Sequence, residues 1–258
     1  MNLGIQGKLA VVTGASRGIG RAIVNVLAAE GTKVIAIARN KQDLEALLQE
    51  VRDTEQKHHS IVADLMEAGV PTQTMSAIQR NHGEPDILVN NVGGTLGVND
   101  PLCSLEDWSK VYRFNLEIAL EMNNAVIPDM KDKGWGRIVN IASTASLENN
   151  GPVTYCAIKA AFAAYTRCMA RILAPDNIVM SAVLPGVVVT EGGHWETAQR
   201  ERPEHVEKYI AERCPLGRFA VPDEVGHLVA FLCSELASFC QGSLVPVDGG
   251  QSRHFFSQ

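Results

Sequence analysis

The feature that most constrains the fold is a regular alternation of short, mainly apolar runs with longer stretches of helical periodicity. The apolar runs predict strands at 8–13, 33–38, 59–63, 86–89, 137–142, 178–184 and 244–247. Helices are predicted at 18–30, 41–51, 70–81, 104 to about 130, 152–173 and 223–233, and 189–213 is polar and helix-prone. Strands that are nearly continuous apolar runs, rather than alternating apolar and polar residues, are typical of a sheet covered by helices on both faces. The alternation therefore predicts an α/β fold with a parallel sheet of about seven strands.

Composition favours one domain and excludes several classes of function. The 258 residues contain no Pro-, Gly- or Ser-rich linker, so we expect one domain over 1–258. The formal net charge is −6, and no basic patch of the kind found in nucleic-acid-binding proteins is visible. The apolar runs are far shorter than a membrane span of roughly 18 residues, and the N-terminal residues lack the pattern of a signal peptide. We expect a cytoplasmic protein that binds neither nucleic acid nor membrane.

The sequence offers no pattern typical of a metal site. Six cysteines are scattered without a CxxC pair, and the adjacent His58 and His59 would point to opposite faces of a strand. We expect free thiols and no bound metal.

A glycine-rich turn joins the first predicted strand to the first predicted helix. Its sequence is Thr13-Gly14-Ala15-Ser16-Arg17-Gly18-Ile19-Gly20. Gly14 permits a sharp turn, Gly18 lets the backbone approach a pyrophosphate, and Gly20 lets the helix pack close to the strand. A phosphate there is stabilised by free N–H groups and by the helix dipole. This context favours a dinucleotide site in a doubly wound, Rossmann-type sheet, with a plain tight turn as the alternative.

The end of the second predicted strand bears on the choice of nucleotide. There the chain has Ile37-Ala38-Arg39-Asn40, with no carboxylate to bind a ribose 2′-hydroxyl. Arg39 is placed to pair with a 2′-phosphate, and Arg17 in the glycine turn is a second candidate for the same group. We therefore expect NADP(H) rather than NAD(H). Two solvated arginines would leave the same pattern.

Three residues form a candidate catalytic group. Tyr155 and Lys159 are four residues apart in the longest predicted helix and so share one helix face. Ser143 follows the fifth strand, and ligands of open parallel sheets bind at the carboxyl ends of strands. Reduction of a carbonyl by hydride transfer needs a proton donor for the developing alkoxide. We expect Tyr155 to be that acid and Ser143 to orient the substrate oxygen. Lys159 and the positively charged nicotinamide of the oxidised cofactor are expected to lower the pKa of Tyr155.

These motifs, taken in order, resemble those of the short-chain dehydrogenase/reductase family over essentially the whole chain. The matching positions are 13–20, Asp64, 90–93, Asn115, Ser143, Tyr155, Lys159, Pro185, Gly186, Thr190 and 248–250. The resemblance implies an enzyme that interconverts ketones and alcohols, with a tetrad of Asn115, Ser143, Tyr155 and Lys159, in which Asn115 holds a water connected to Lys159. With the glycine turn and Arg39, the expected cofactor contacts are Gly14, Ser16, Arg17, Gly18, Ile19, Gly20, Arg39, Asp64, Leu65, Asn91, Gly93, Tyr155, Lys159, Pro185, Gly186, Val188 and Thr190.

The sequence constrains the substrate less than the cofactor. We expect a lid at about 189–213, with His194 and Trp195 over the substrate; a solvated helix with a packing tryptophan is the alternative. Glu148 and Asn149 are expected to line a polar pocket. The overall similarity is to 3-oxoacyl-acyl-carrier-protein reductases. However, Asp176 stands where such reductases often have an arginine, which leaves a polar ketone or a sugar-like alcohol as a serious alternative.

Other functions remain alternatives at this point. They are an NAD(H)-dependent dehydrogenase of a polar alcohol, a non-catalytic nucleotide-sensing protein on the same scaffold, and a sugar-nucleotide epimerase. The intact tetrad argues against the sensor, and an epimerase normally has a larger C-terminal substrate domain. Small and apolar residues surround much of helix 152–173, which predicts a homo-oligomer. The resemblance to the family, whose members are commonly tetrameric, implies a tetramer. Phe255 and Phe256 are expected to pack on a neighbouring subunit or to be disordered.

Overall fold

The computed structural model describes residues 1–52, 54 and 56–254, and in that part of the chain seven strands form one sheet. The strands are β1 Leu9–Thr13, β2 Lys33–Ala38, β3 His59–Val62, β4 Ile87–Asn90, β5 Gly136–Ile141, β6 Ile178–Pro185 and β7 Leu244–Val247. Their spatial order is β3-β2-β1-β4-β5-β6-β7, and every neighbouring pair is parallel. The predicted doubly wound α/β fold is confirmed. The predicted pair Phe255-Phe256 lies outside the described residues.

Helices cover both faces of the sheet. They are α1 Gly18–Ala29, α2 Lys41–Glu50, α3 Val70–His82, α4 Leu105–Tyr112, α5 Ile118–Lys133, α6 Val153–Leu173, α7 His194–Glu201, α8 Pro203–Arg213 and α9 Pro222–Leu232. One apolar cluster joins α1, α2 and α9 to one face, and a second joins α3, α5 and α6 to the other. Among the residues that the structure describes, no helix combines the length and the apolar character needed to cross a bilayer.

The central strands are the most deeply buried part of the sheet. Every residue of β1, β4, β5 and β6 is buried, whereas the edge strands β3 and β7 are largely half-buried. The chain leaves β1 toward β2 on one side and leaves β4 toward β5 on the other. A crevice therefore opens between the carboxyl ends of β1 and β4, where sheets of this kind bind their ligands.

Two predicted helical stretches are each divided in the structure. The helix expected from 104 to about 130 is α4 and α5 joined by a π-helix, Arg113–Glu117, in which the Ile118 N–H donates to the Arg113 carbonyl. The stretch 189–213 contains α7 and α8, which meet at Arg202. Pro203 starts α8 because proline disfavours a helical conformation in the residue before it but is tolerated in the first turn.

Candidate active site

Side-chain hydrogen bonds hold the glycine turn against the end of β4. Thr13 Oγ1 accepts from the Asn91 backbone N–H at 3.0 Å, and Asn91 Nδ2 donates to the Thr13 and Gly14 carbonyls at 3.1 and 3.0 Å. Gly14 has a φ of +64°, a conformation that favours glycine. A Cβ on Gly20 would lie 2.2 Å from the Gly14 carbonyl oxygen. The turn and α1 therefore approach each other at a distance that a side chain would prevent.

A cleft of about 750 Å³ crosses the carboxyl ends of the strands. Ser143, Tyr155 and Lys159 line it together with the loops that follow β1, β2, β3, β4 and β6. The other predicted site residues that line it are Gly14, Ser16, Arg17, Gly18, Ile19, Arg39, Asp64, Leu65, Asn91, Gly93, Pro185, Gly186, Val188, Thr190 and Trp195. Residues from distant parts of the sequence thus meet in one cavity, as the crevice of the fold requires.

Ser143, Tyr155 and Lys159 meet where β5 ends and α6 begins. A hydrogen bond joins the Ser143 and Tyr155 hydroxyls. Ser143 Oγ also accepts from the Ala145 backbone N–H at 3.1 Å, which fixes its direction. Lys159 Nζ donates to the Ile141 carbonyl at 2.9 Å and lies 5.7 Å from the centroid of the Tyr155 ring. Lys159 itself is 2% exposed.

Burial controls the pKa values of both titratable groups. It raises the pKa of the Tyr155 hydroxyl above its ordinary value, although the hydrogen bond with Ser143 acts in the opposite direction. Burial lowers the pKa of Lys159 to about 7. Burial is the largest influence on the Tyr155 pKa, and the lowering expected from Lys159 together with the positively charged nicotinamide stays a prediction. Tyr155 is protonated at neutral pH, as a proton donor has to be.

Asn115 lies behind the cleft rather than in its wall. Its Nδ2 donates to the Gly94 and Val111 carbonyls at 2.8 and 2.9 Å, and its Oδ1 accepts from the Gly94 N–H at 2.9 Å. Both side-chain N–H groups are therefore engaged in bracing the loop after β4. A Cβ on Gly93 would lie 2.8 Å from Asn115 Oδ1 and 3.0 Å from Lys159 Nζ, so this glycine allows the loop to pass between them.

The end of the cleft nearest β2 carries both signs of charge. Arg39 Nη1 lies 3.8 Å from Asp64 Oδ2, and the Arg39 side chain is 68% exposed. Asn40 caps α2 by accepting from the Asp43 N–H at 3.3 Å. Asp43 lines this end of the cleft as well, a carboxylate that the sequence analysis did not single out.

The predicted substrate residues are divided between the cleft and the outer surface. Trp195 lines the cleft and packs with ring centroids 4.5 Å from Tyr209 and 4.8 Å from Phe219. His194 and Asn149 are exposed and lie outside the lining. Glu148 also lies outside it, and its Oε2 accepts from the Arg253 backbone N–H at 3.0 Å. Glu148 thus contacts the C-terminal tail rather than the cleft.

The residues that sequence reasoning missed are mostly apolar neighbours of predicted ones. They are Ile37, Ala38, Asn40, Asp43, Ala63, Met66, Phe114, Ile118, Ile141, Ala142 and Val187. Most of them sit at the carboxyl end of a strand or directly after it, beside a predicted site residue. Position at the strand end was therefore the signal that could have found them.

The cleft fits a dinucleotide in shape and in chemistry. The first helix, α1, begins at the glycine turn, and its N-cap residue Arg17 makes no side-chain hydrogen bond to the helix end. The first N–H groups of α1 are therefore placed to receive phosphate oxygens. A Cβ on Gly18 would lie 3.0 Å from Thr190 Cγ2, so the glycine keeps the space between turn and lid open.

Comparison with known proteins agrees with this geometry. Residues 8–201 match the family model described as short chain dehydrogenase. The chain is 36% identical over 252 residues to 3-oxoacyl-[acyl-carrier-protein] reductase FabG of Aquifex aeolicus, which covers 97% of this chain and 99% of that protein.

Two solved structures are also similar. A 3-oxoacyl (acyl-carrier-protein) reductase from Agrobacterium tumefaciens C58 with NADP bound matches with a TM-score of 0.90 and 30% identity, covering 96% of each chain. L-sorbose reductase from Gluconobacter frateurii, complexed with NADPH and L-sorbose, matches with a TM-score of 0.91 and 28% identity, covering 99% of this chain and 100% of that one. The chain belongs to the short-chain dehydrogenase family and is an oxidoreductase, as its motifs predicted.

Proposed function

We propose that the protein is an NADP(H)-dependent oxidoreductase that interconverts a ketone and a secondary alcohol, with Tyr155 as acid and base. The observation that carries this proposal is a single cleft lined by the glycine turn, by Arg39, and by Ser143, Tyr155 and Lys159. The NADP and NADPH bound in the two similar structures support the choice of nucleotide.

The cleft divides into parts that would hold the nucleotide. The first turn of α1 would bind the pyrophosphate, and Arg39 and Arg17 the 2′-phosphate. The family resemblance adds Asp64 and Leu65 for adenine, Asn91 and Gly93 for the adenosine ribose, Lys159 for the nicotinamide ribose, and Val188 and Thr190 for the carboxamide. When bound, NADPH supplies the hydride that reduces the carbonyl carbon.

The proton is the contribution of the protein itself. In reduction, the Tyr155 hydroxyl gives its proton to the carbonyl oxygen, and the Ser143 hydroxyl donates a hydrogen bond to the same atom. In oxidation, Tyr155 takes the proton back from the alcohol. The buried Lys159 ammonium stabilises the phenolate form of Tyr155. We assign the water link to the main chain of Asn115, because both N–H groups of its side chain donate to carbonyl groups.

For the substrate we propose a small ketone that binds under a lid formed by residues 189–213. The lid and the rest of the site belong to a single domain over 1–258. Trp195 at the cleft wall supports this part, with His194 beside it at the start of α7. Glu148 and Asn149 would act from the outer rim. The similar proteins include both 3-oxoacyl reductases and a sorbose reductase, so 3-oxoacyl thioesters and ketoses are the two substrate classes to test first.

The decisive experiment for the activity is a screen of NADPH oxidation by the purified protein. Its arms are simple ketones, 3-oxoacyl thioesters and ketoses, each followed by the loss of the reduced nicotinamide absorbance. We expect turnover with at least one class. A protein that binds NADPH but reduces no member of any class would contradict the catalytic proposal and favour a nucleotide sensor.

A second candidate is an NAD(H)-dependent enzyme, which the two carboxylates Asp43 and Asp64 at the nucleotide end favour.

Arg39→Asp tests the choice between the two nucleotides, because it removes the cation nearest to this end of the cleft. We expect the ratio of kcat/KM for NADPH over NADH to fall by about tenfold or more, about 1.4 kcal/mol. Arg200→Asp, on the exposed face of α7, is the control. An unchanged ratio would remove Arg39 from nucleotide selection.

We also propose that the enzyme works in the cytoplasm as a homotetramer. On α6, the exposed face carries mainly small or apolar side chains, with two arginines among them: Ala157, Ala160, Ala161, Ala164, Arg167, Cys168, Arg171 and Ile172. Such a face is typical of a helix that packs against another helix.

A further inference from the structure

Arg113, the first residue of the π-helix, engages all five N–H groups of its guanidinium. Its acceptors are the carbonyl oxygens of Leu65, Met66 and Glu67 and the carboxylates of Glu117 and Glu121. The three carbonyl contacts measure 3.0 to 3.2 Å, and the Arg113 side chain is 12% exposed. A guanidinium that is removed from water and fully partnered in this way holds its neighbours in a fixed geometry.

The three carbonyls belong to the loop between β3 and α3, which forms part of the cleft. Asp64, Leu65 and Met66 all line the end of the cleft near Arg39. This loop follows an edge strand that pairs on one side with β2. Within the loop, the Met66 N–H donates to Asp64 Oδ1 at 3.0 Å. The contacts from Arg113 therefore supply the hydrogen bonds that join the loop to the helical layer beside it.

The other neighbours of Arg113 along the π-helix reach the rest of the site. Phe114 lines the cleft, and Asn115 braces Gly94 in the loop after β4. Three consecutive residues thus contact the loop after β3, the cleft itself and the loop after β4. A shift of the π-helix would move all three together.

We propose that Arg113 is a positioning residue that fixes the adenosine end of the nucleotide site relative to the π-helix. This inference rests on the proposed function, because it concerns the affinity of the cleft for NADP(H). Arg113 acts through the backbone of 65–67 and makes no contact with the reacting atoms. Replacing it with alanine would leave three carbonyls and two carboxylates without their shared donor. A lysine has three N–H donors on one nitrogen and cannot serve the same five acceptors.

The test measures binding of 2′,5′-ADP, a fragment that occupies the adenosine end and cannot react. By calorimetry on the full-length protein, we expect Arg113→Ala to raise the Kd for 2′,5′-ADP by about tenfold, and Arg113→Lys to raise it by a smaller factor. The KM for NADPH should rise in parallel, while kcat at saturating NADPH changes by less than about twofold. If Arg113 had a purely structural role, Arg113→Ala would lower the melting temperature without raising the KM for NADPH and the Kd for 2′,5′-ADP at an unchanged kcat.

Arg137 offers a matched control. It is also buried, and it donates to the Gly136, Asn177 and Ser234 carbonyls near the amino end of β5, opposite the cleft. We expect Arg137→Lys to lower the melting temperature and to leave the Kd for 2′,5′-ADP unchanged.

Three outcomes would overturn the proposal. The first is an Arg113→Ala protein that is folded by circular dichroism and binds 2′,5′-ADP like the wild type. The second, where the alanine variant does not fold, is an Arg113→Lys protein that is folded and binds 2′,5′-ADP like the wild type. The third is a loss of affinity for 2′,5′-ADP in Arg137→Lys that equals the loss in the Arg113 variants. A wild-type protein that binds neither 2′,5′-ADP nor NADPH would instead overturn the proposed function, and this inference with it.

Discussion

At the scale of single residues, the Lys159 amine sits in an environment that makes it titrate near neutrality. Its Nζ donates to the Ile141 carbonyl and lies 5.5 Å from the centroid of the Phe162 ring. Burial lowers the pKa of this amine to about 7 and raises the pKa of the Tyr155 hydroxyl. The acid of the proposed reaction therefore stays protonated, while the neighbouring amine changes its charge over the physiological pH range.

This charge change predicts the pH dependence of reduction. As the pH rises through about 7, Lys159 loses its proton, and the positive charge that stabilises the Tyr155 phenolate is lost, so kcat should fall. The Lys159→Met enzyme should have a much lower kcat, and its kcat should not fall as the pH rises through about 7. The measurement is kcat at saturating NADPH over the range from about pH 6 to about pH 9.

A matched lysine variant separates this effect from general effects of charge. Lys133→Met removes a lysine that pairs with Asp86 at the opposite end of the sheet and should keep the wild-type profile. A Lys159→Met enzyme that retained the same fall in kcat would show that another group controls it.

Sequence spacing was sufficient to predict that Ser143, Tyr155 and Lys159 meet in one cleft, because the carboxyl end of a strand and one face of a helix are local properties. The direction of the Tyr155 pKa was not predictable in this way. It depends on how completely the folded chain removes the hydroxyl from water, and that burial comes from elements far apart in sequence. The same is true of Asn115, whose side-chain partners are seen in the three-dimensional structure alone.

At the scale of elements, the glycine turn and α1 form one rigid unit through Gly20. Its position against the Gly14 carbonyl and Asn91 Nδ2 leaves no room for a Cβ, which would lie 2.2 and 2.6 Å from these atoms. The sequence assigned this glycine to close packing of helix and strand, and the distances agree with that role. Gly20 supports the cleft from behind and does not line it.

Gly20→Ala should therefore displace the turn. We expect a loss of about 1–3 kcal/mol in the free energy of unfolding, because an extra methyl group in a packed site forces backbone shifts. The Kd for NADPH should rise as well, since the N–H groups of the turn move. Denaturant unfolding and calorimetry measure the two effects.

Gly134→Ala is the control for this glycine. Gly134 has a φ of +63° and open space around its Cβ position, so alanine there brings backbone strain without a collision. It should lower stability and leave the Kd for NADPH unchanged. Equal weakening of NADPH binding by both variants would contradict the role of Gly20.

The predicted elements agree best with the structure where burial is complete. The strands β1, β4, β5 and β6 were found because chain segments buried on both faces are mostly apolar, with few polar residues among them. The π-helix was missed because a single extra residue per turn hardly changes the apolar periodicity of the helix around it. The break between α7 and α8 had a local signal, Pro203, which the helix-prone composition of 189–213 obscured.

At the scale of the whole molecule, the exposed face of α6 is the feature that bears on assembly. Tyr155 and Lys159 lie on the same helix, on the side that faces the cleft, whereas Ala157, Ala164 and Ile172 face outward. A partner packed on the outer face would hold the helix, and with it the catalytic pair, in place. The sequence predicted such a face from composition, but which residues are exposed follows from the packing of α6 on the sheet.

We expect light scattering to give a mass about four times the 27.9 kDa of the chain. Ala164→Arg puts a long charged side chain in the middle of the exposed face and should shift the mass to smaller species. Ala29→Arg, at an exposed position at the end of α1, should leave the mass unchanged. A wild-type monomer would refute the assembly.

The most direct test of the account concerns one oxygen atom, the Tyr155 hydroxyl. Tyr155→Phe removes it and leaves the ring and the cleft in place. We expect NADPH to bind with wild-type affinity, while reduction of the best substrate falls by about a hundredfold or more, the range of general acid catalysis. NADPH oxidation by Tyr155→Phe at a rate close to that of the wild type would contradict it.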